Sequence, residues 1–254
     1  MPVNRKLIAA GVGAAAAAGA AIFGAVTLTR SVKEPTPQEE AEAFTVCLKA
    51  DIAFVKDASK KCYAPAEAAA LAEHPVLDDA GAPAIVALSS PNEGSRDVEE
   101  VGTCAQYRAF TRDGWYAASS AEMRREAFFQ RACGALDMIE QAGAPQVSYF
   151  KDGEIAAADM SSLAETFEFR IGPAPAPPAP PISVSAVSMG VWLFESGDQT
   201  ARLQEIAHAD FDGDGRGDML VFVTVTVKDA TATASLVGLL DKPSSDGPVR
   251  FVAK

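Results

Sequence analysis

The sequence is short of the residues that carry most recognisable chemistry. Its 254 residues include only two histidines, His74 and His208, and four cysteines. Neither histidine is placed to complete a zinc set, and no Cys-x-x-Cys occurs, so zinc and thiol-redox chemistry are both disfavoured. Gly-x-Ser-x-Gly, the phosphate-binding P-loop, His-Glu-x-x-His and the dinucleotide fingerprint are missing as well. A Ser–His–Asp arrangement would have to use His74 or His208, and nothing near either recommends it. A glycosidase-like pair of carboxylates is assembled in space, so it escapes a search of this kind.

Basic residues are scarce too. The chain has 22 Lys and Arg against 34 Asp and Glu, a formal charge of −12. Arg5, Lys6, Arg30 and Lys33 lie in the first 33 positions, where no acid occurs, so residues 34–254 set 18 basic groups against 34 acidic ones, or −16. Such a body repels nucleic acid and anionic membrane surfaces and attracts cations.

What the chain does have begins with a long apolar run. Between Lys6 and Arg30, 23 residues from Leu7 to Thr29 carry no charge. As a helix they span about 34 Å, enough for a hydrocarbon core of about 30 Å. Two readings compete for residues 1–33, a cleaved signal peptide and a retained signal-anchor. The run is long for a signal peptide and its best small-x-small exit, Ala25 to Thr27, is poor, so the anchor with its basic end inside fits better. A buried Ala/Gly-rich core helix is the third and weakest reading. On either of the first two the rest of the chain is exported, facing the periplasm or cell exterior. No cysteine sits at the end of the run, so lipid modification is not indicated.

Cys47, Cys62, Cys104 and Cys133 form an even set beyond that run, as expected where disulfides persist. Three pairings are possible, and the local one, Cys47–Cys62 with Cys104–Cys133, is favoured.

Residues 34–170 read as a disulfide-linked helical domain. Thr36, Pro37 and Glu39 resemble a helix start, followed at helical spacing by Phe44, Cys47, Leu48 and Ile52. "PAEAAALAEH" reads as a short second helix. "SSAEMRREAFFQRACGALDMIEQAG" is the clearest, with a capping box at Ser119 and Glu122, a buried stripe of Phe129, Ala132, Cys133, Leu136 and Ile139, and Gly143 as its stop. A Cys104–Cys133 bond would tie "VEEVGTCAQYRAF" to that stripe as an antiparallel helix. Trp115 and Tyr116 would then close the end of a helical core or, less favoured, line a ligand groove.

Residues 171–182 contain six prolines between Pro173 and Pro181 and read as a stiff polyproline II spacer in preference to a ligand for a proline-binding domain. Residues 183–254 then turn to short apolar or alternating runs, an antiparallel unit of about five strands. A sheet so small buries one face, with Val221, Val223, Val225 and Val227 on one side and Phe222, Thr224 and Thr226 on the other. If it needs the helical half to cover it, the two halves make one α+β body. The fold class is α+β in either case.

The densest chemistry is in "HADFDGDGRGDMLVFVTVTV", residues 208–227. Asp210, Asp212 and Asp214 alternate, Gly215 follows, and Asp218 lies four beyond Asp214. A hard divalent cation such as Ca²⁺ takes six to eight oxygens at about 2.3–2.6 Å, and carboxylates at loop positions one, three and five converge if the chain turns sharply at a glycine in position six. Position seven, Arg216, contributes a backbone carbonyl, and Asp218 at position nine binds directly or through water. Position twelve is Val221 where an EF-hand has Glu, and a strand follows where an EF-hand has a helix. "DFDGDGRGDMLVF" therefore resembles the calcium loop of FG-GAP/VCBS-type β repeats, as in integrin β-propellers. The resemblance implies that Asp210, Asp212, Asp214, the carbonyl of Arg216 and Asp218 surround Ca²⁺. It covers one loop in one copy, so the propeller is not implied. The alternative is a solvated Asp/Gly hairpin. Arg216-Gly217-Asp218 matches an adhesion tripeptide, but the loop already accounts for its Gly and Asp, and His208 reads as a strand side chain.

The functional expectation is an exported, membrane-tethered calcium-binding protein, non-enzymatic, whose helical half presents a surface to another envelope protein. The alternatives are a small envelope hydrolase with structural calcium, and an adhesin using the tripeptide.

Overall fold

A computed structural model describes residues 44–49, 55–56, 61–92, 94–172, 180–228 and 233–254. The apolar run 7–29, the helix start at Thr36–Pro37 and most of the proline-rich segment (173–179) lie outside the described residues. Among the described residues no helix is long and apolar enough to cross a membrane.

The centre of the fold is a six-stranded antiparallel sheet. Its strands are β5 (Ser183–Ser188), β6 (Val191–Ser196), β7 (Gln199–Ala209), β8 (Asp218–Val227), β9 (Thr233–Asp241) and β10 (Arg250–Ala253). They lie in the order of a meander, each hydrogen-bonded to its sequence neighbour. The sequence suggested five strands because "ISVSAVSMGVWLF" has no polar break. The chain folds back inside it at Gly190, whose φ of +67° suits glycine, to form β5 and β6.

The sheet is covered on both faces, not one. Leu220, Phe222, Val237 and Leu239 join the core beneath helix α3 (Ser120–Gln141). Met219, Val221, Val223, Val225 and Leu240 join a second core under α4 (Ala157–Ala164), with Phe150, Phe167 and Phe169. The alternation along β8 holds, but the opposite side is not solvated. The apolar residues that cover the second face come from 150–171, between the helices and the proline-rich stretch. The described residues all belong to one compact unit, 42–254.

α3 begins as its sequence requires. Ser119 Oγ accepts the amide of Glu122 at 3.2 Å, and Phe129, Ala132, Cys133, Leu136 and Ile139 are all buried. The capping box is only half made, because the Glu122 carboxylate accepts the Ala87 amide (2.8 Å) of β3 (Val86–Ser89). Gly143 is not a left-handed cap. Ala142 is already extended (φ −65°, ψ 140°), and Gly143 pairs with Asp210. At Gly134 the helix comes so close to β9 that an added Cβ would lie 3.1 Å from Val237.

The N-terminal half is less helical than its periodicity suggests. α1 (Pro65–Leu71) and α2 (Cys104–Arg112) are helices, but β1 (Val46–Cys47) pairs with β2 (Cys62–Tyr63), and β3 pairs with β4 (Val98–Val101). Phe44, Cys47 and Leu48 therefore do not line a helix. Leu48 bridges Ala207 of β7 instead, and its i, i+3, i+4 neighbours reflect β-formers that happen to share helical spacing. Likewise "VEEV" is β4, not the first turn of α2. Trp115 closes one end of the core, edge-on to Phe110 at 5.1 Å, while Tyr116 is exposed and pairs with Ser89.

Two disulfides are present, Cys47–Cys62 and Cys104–Cys133. The first joins directly paired residues of β1 and β2, the second ties α2 to α3. Both are consistent with an exported or oxidising compartment.

Gly238, within β9, leaves no room for a side chain. A Cβ there would lie 2.5 Å from the Phe251 ring and 2.8 Å from the Val252 carbonyl. We expect Gly238→Ala to lower stability by about 1–3 kcal/mol and to strip amide protection from β10 ahead of the rest of the sheet. Urea melts with hydrogen exchange check this, and an unchanged midpoint would contradict it.

Candidate metal centre

β7 ends and β8 begins at a directly paired couple, Ala209 and Asp218, so the loop between them has both ends anchored. Gly213 (φ +80°) and Gly215 (φ +84°) make its turns, and the loop is folded by its own carboxylates. Asp210 accepts the amides of Gly213 (2.8 Å) and Gly215 (2.9 Å), and Asp218 Oδ2 accepts that of Phe211 (3.1 Å). Asp212 accepts the amide of Asp214 at 3.3 Å.

The result is a convergence of three of the four aspartates. One carboxylate oxygen each from Asp210, Asp212 and Asp218 lies within 4.8 Å of the others. Asp210 is buried, Asp212 is exposed, and Asp218 is completely buried. Asp214 is not brought in. Its carboxylate accepts the Arg216 amide at 2.7 Å and pairs with the Arg216 guanidinium, which also reaches Asp241 at 3.4 Å. The sequence placed Arg216 at the loop through its carbonyl. Its backbone neighbours are occupied elsewhere, since Gly215 O accepts the Val147 amide and Gly217 N donates to Val147 O. The Arg216 carbonyl takes no part in that pairing.

Asp218 carries the electrostatic tension of the site. Its Oδ1 is buried without a hydrogen-bond partner. Burial pushes its pKa up to about 7; the Phe211 amide opposes this, while the charges of Asp212, Asp214 and Asp241 add to it. A buried carboxylate with one unpaired oxygen, clustered with two other carboxylates, is what a bound cation relieves, so these residues fit a metal ion. The burial of Asp218 also means that Arg216-Gly217-Asp218 is not presented to a partner.

Sequence reading missed the loop's brace. After α3 the chain runs extended along the loop: Gly143 exchanges backbone bonds with Asp210 (2.7 and 3.1 Å), and Gln146 donates to Gly215 O (2.9 Å). Ser148 Oγ is 2.9 Å from His208 Nε2, and the His208 ring packs edge-on to Phe150. Gly217 leaves no room for a side chain, because a Cβ there would sit 2.5 Å from His208 Nε2. His208 is thus a strand side chain wedged beneath the loop. Its pKa is lowered by burial and by Lys49. Ser148 Oγ also accepts the Phe150 amide (3.2 Å), so the Ser148–His208 pair is part of a turn. Nothing local in "AGAPQVS" announces this role, which arises from pairing across some sixty residues.

The raised Asp218 pKa gives the ion-free protein a definite pH dependence. The unfolded carboxyl titrates near 3.9, so between about pH 4 and pH 7 the folded state holds a proton that the unfolded state has lost, and stability falls as pH rises through this window. Asp218→Asn lacks that contribution. In chelator, urea midpoints of the two proteins should agree near pH 4, and the variant should be the more stable at pH 8. Parallel profiles from pH 4 to pH 8 would contradict the assignment.

No protein family, curated protein or solved structure matches the chain. The likeness to FG-GAP/VCBS repeats is confined to this loop, where the structure contributes a buried aspartate cluster able to hold a metal ion.

Proposed function

We propose that this chain is an exported, membrane-tethered calcium-binding protein, non-enzymatic, in which Ca²⁺ locks the β7–β8 turn of a body that presents a surface to another envelope protein. The observation that carries the cation is Asp218, fully buried with one oxygen unpaired beside Asp210 and Asp212. Calcium suits the site better than magnesium. Mg²⁺ keeps several waters in a near-ideal octahedron, whereas Ca²⁺ accepts more protein oxygens in a looser shell. Asp210, Asp212 and Asp218 supply carboxylates, the Arg216 carbonyl is the backbone ligand that the loop pattern implies, and Asp214 would first have to leave Arg216.

Export is supported by two disulfides and by the charge-free run from Leu7 to Thr29 between basic residues. A structural role for the ion follows from its neighbours. The loop is hydrogen-bonded to the extension of α3, and α3 packs on β9, so an ion there fastens the helical layer to the sheet. With three protein carboxylates the affinity expected is that of extracellular modules, on the order of 10⁻⁴–10⁻³ M.

Calorimetry of the full chain in detergent tests this. At ten times Kd, Ca²⁺ stabilises by about 1.4 kcal/mol, which raises Tm by about 2–4 °C for a body of this size. Mg²⁺ at the same concentration should do less, and Asp218→Asn should abolish the rise. A wild-type Tm that ignores millimolar Ca²⁺ would overturn the proposal.

A further inference from the structure

The sheet ends differently on its two sides. β10 is four residues long, carries Arg250, and is followed by Lys254. β5, Ser-Val-Ser-Ala-Val-Ser, has six residues with neither charge nor proline and is almost wholly exposed. It is bonded to β6 on one side, and among the described residues no strand lies on the other. In an antiparallel strand alternate residues turn both amide and carbonyl outward, so among the described residues this edge offers backbone donors and acceptors that no strand pairs. Its one irregularity, the bulge between Ala186 and Ser188, leaves 183–186 regular.

Beside this edge is a cleft of about 1030 Å³ whose lining includes Ala186, Ser188 and Trp192. Trp192 is the cross-strand partner of Ala186, one strand in from the edge. Its indole N–H donates to Glu205 (3.4 Å), a carboxylate only 5% exposed that also pairs with Lys49 at 3.2 Å. The indole is thus held by its polar end, and the small Ala186 leaves the way from the edge to its ring uncrowded. Lys49, Lys61 and Arg202 balance Asp152, Glu154 and Glu205 around the cleft. That neutrality stands out on a body whose residues 34–254 sum to −16.

We propose that β5 and this cleft bind an extended peptide segment of another protein. The segment adds as a further strand along Ser183–Ala186 and lays one apolar or aromatic side chain across Ala186 towards Trp192. Backbone pairing supplies affinity and the cleft supplies selectivity, as in other strand-addition sites. A second copy of the chain is the poorer occupant. A six-residue edge is about 20 Å long and on its own buries far less than the roughly 1,200 Å² at which stable interfaces begin. Two bodies of charge −16 also repel. The inference does not depend on the cation site.

Panning the full chain in detergent against a phage-displayed library of random, cysteine-free dodecapeptides tests it, once with Ca²⁺ and once with chelator. The enriched peptides, synthesised, should bind saturably and protect the amides of 183–188 from exchange. Ala186→Arg, at an exposed position and with unchanged Tm, should weaken binding at least tenfold. Trp192 fluorescence should shift on binding, with Trp115→Phe as background. Failure to enrich any sequence, or binding that spares 183–188 and ignores Ala186→Arg, would overturn the proposal. So would protection of 183–188 that grows with protein concentration alone, which would make a second copy the occupant.

Discussion

A carboxylate that is taken out of water with one oxygen unpaired must be neutralised, and Asp218 sets that condition at the centre of this fold. It is the first residue of β8, directly opposite Ala209, with no exposed surface. It cannot swing out to solvent without unpairing the most buried strand of the sheet. Protonation or a cation is left: the charges of Asp212, Asp214 and Asp241 raise the cost of ionisation, while Asp210 and Asp212 supply further ligands for a metal. The amides that Asp210 and Asp212 accept and the Arg216–Asp214 pair lower the repulsion within this short stretch, and the loop glycines permit the turns that bring them there.

The consequences reach outward through backbone hydrogen bonds. Gly143, Gln146 and Val147 pair with the loop just after α3 ends, and α3 carries Cys133, bonded to Cys104 of α2. On the far side of β7, Lys49 and Leu48 tie the disulfide-linked β1–β2 pair to Ile206 and Ala207. The loop, both disulfides and the two cores are therefore parts of one connected scaffold. Stiffening the loop stiffens the attachments of the helical layer, which is the physical sense in which a bound ion acts as a structural element.

Much of this was legible in sequence where the signal is local. The cap at Ser119, the stripe from Phe129 to Ile139, the alternation of β8 and the turn at Gly215 each depend on spacing within a few residues. The local cysteine pairing that spacing favoured is the one present. What failed to show depends on distant partners. Val46 and Cys47 are a strand because Cys62 and Tyr63 lie opposite, and "VEEV" is a strand because β3 does. Both share helical periodicity by accident. The second covered face could not be seen because Phe150, Phe167 and Phe169 find β6 and β8 only in three dimensions. At the loop, the spacing named four aspartates, yet the fold gathers three, since the pattern used only the carbonyl of Arg216 and left its guanidinium, which holds Asp214, unspecified.

Equilibrium dialysis of the full chain against ⁴⁵Ca²⁺ tests the central claim most directly, because it counts ions without relying on their effect on stability. The account predicts one ion per wild-type chain at millimolar calcium and none on Asp218→Asn. A wild-type chain that stays empty at those concentrations, while folded and oxidised, would contradict it.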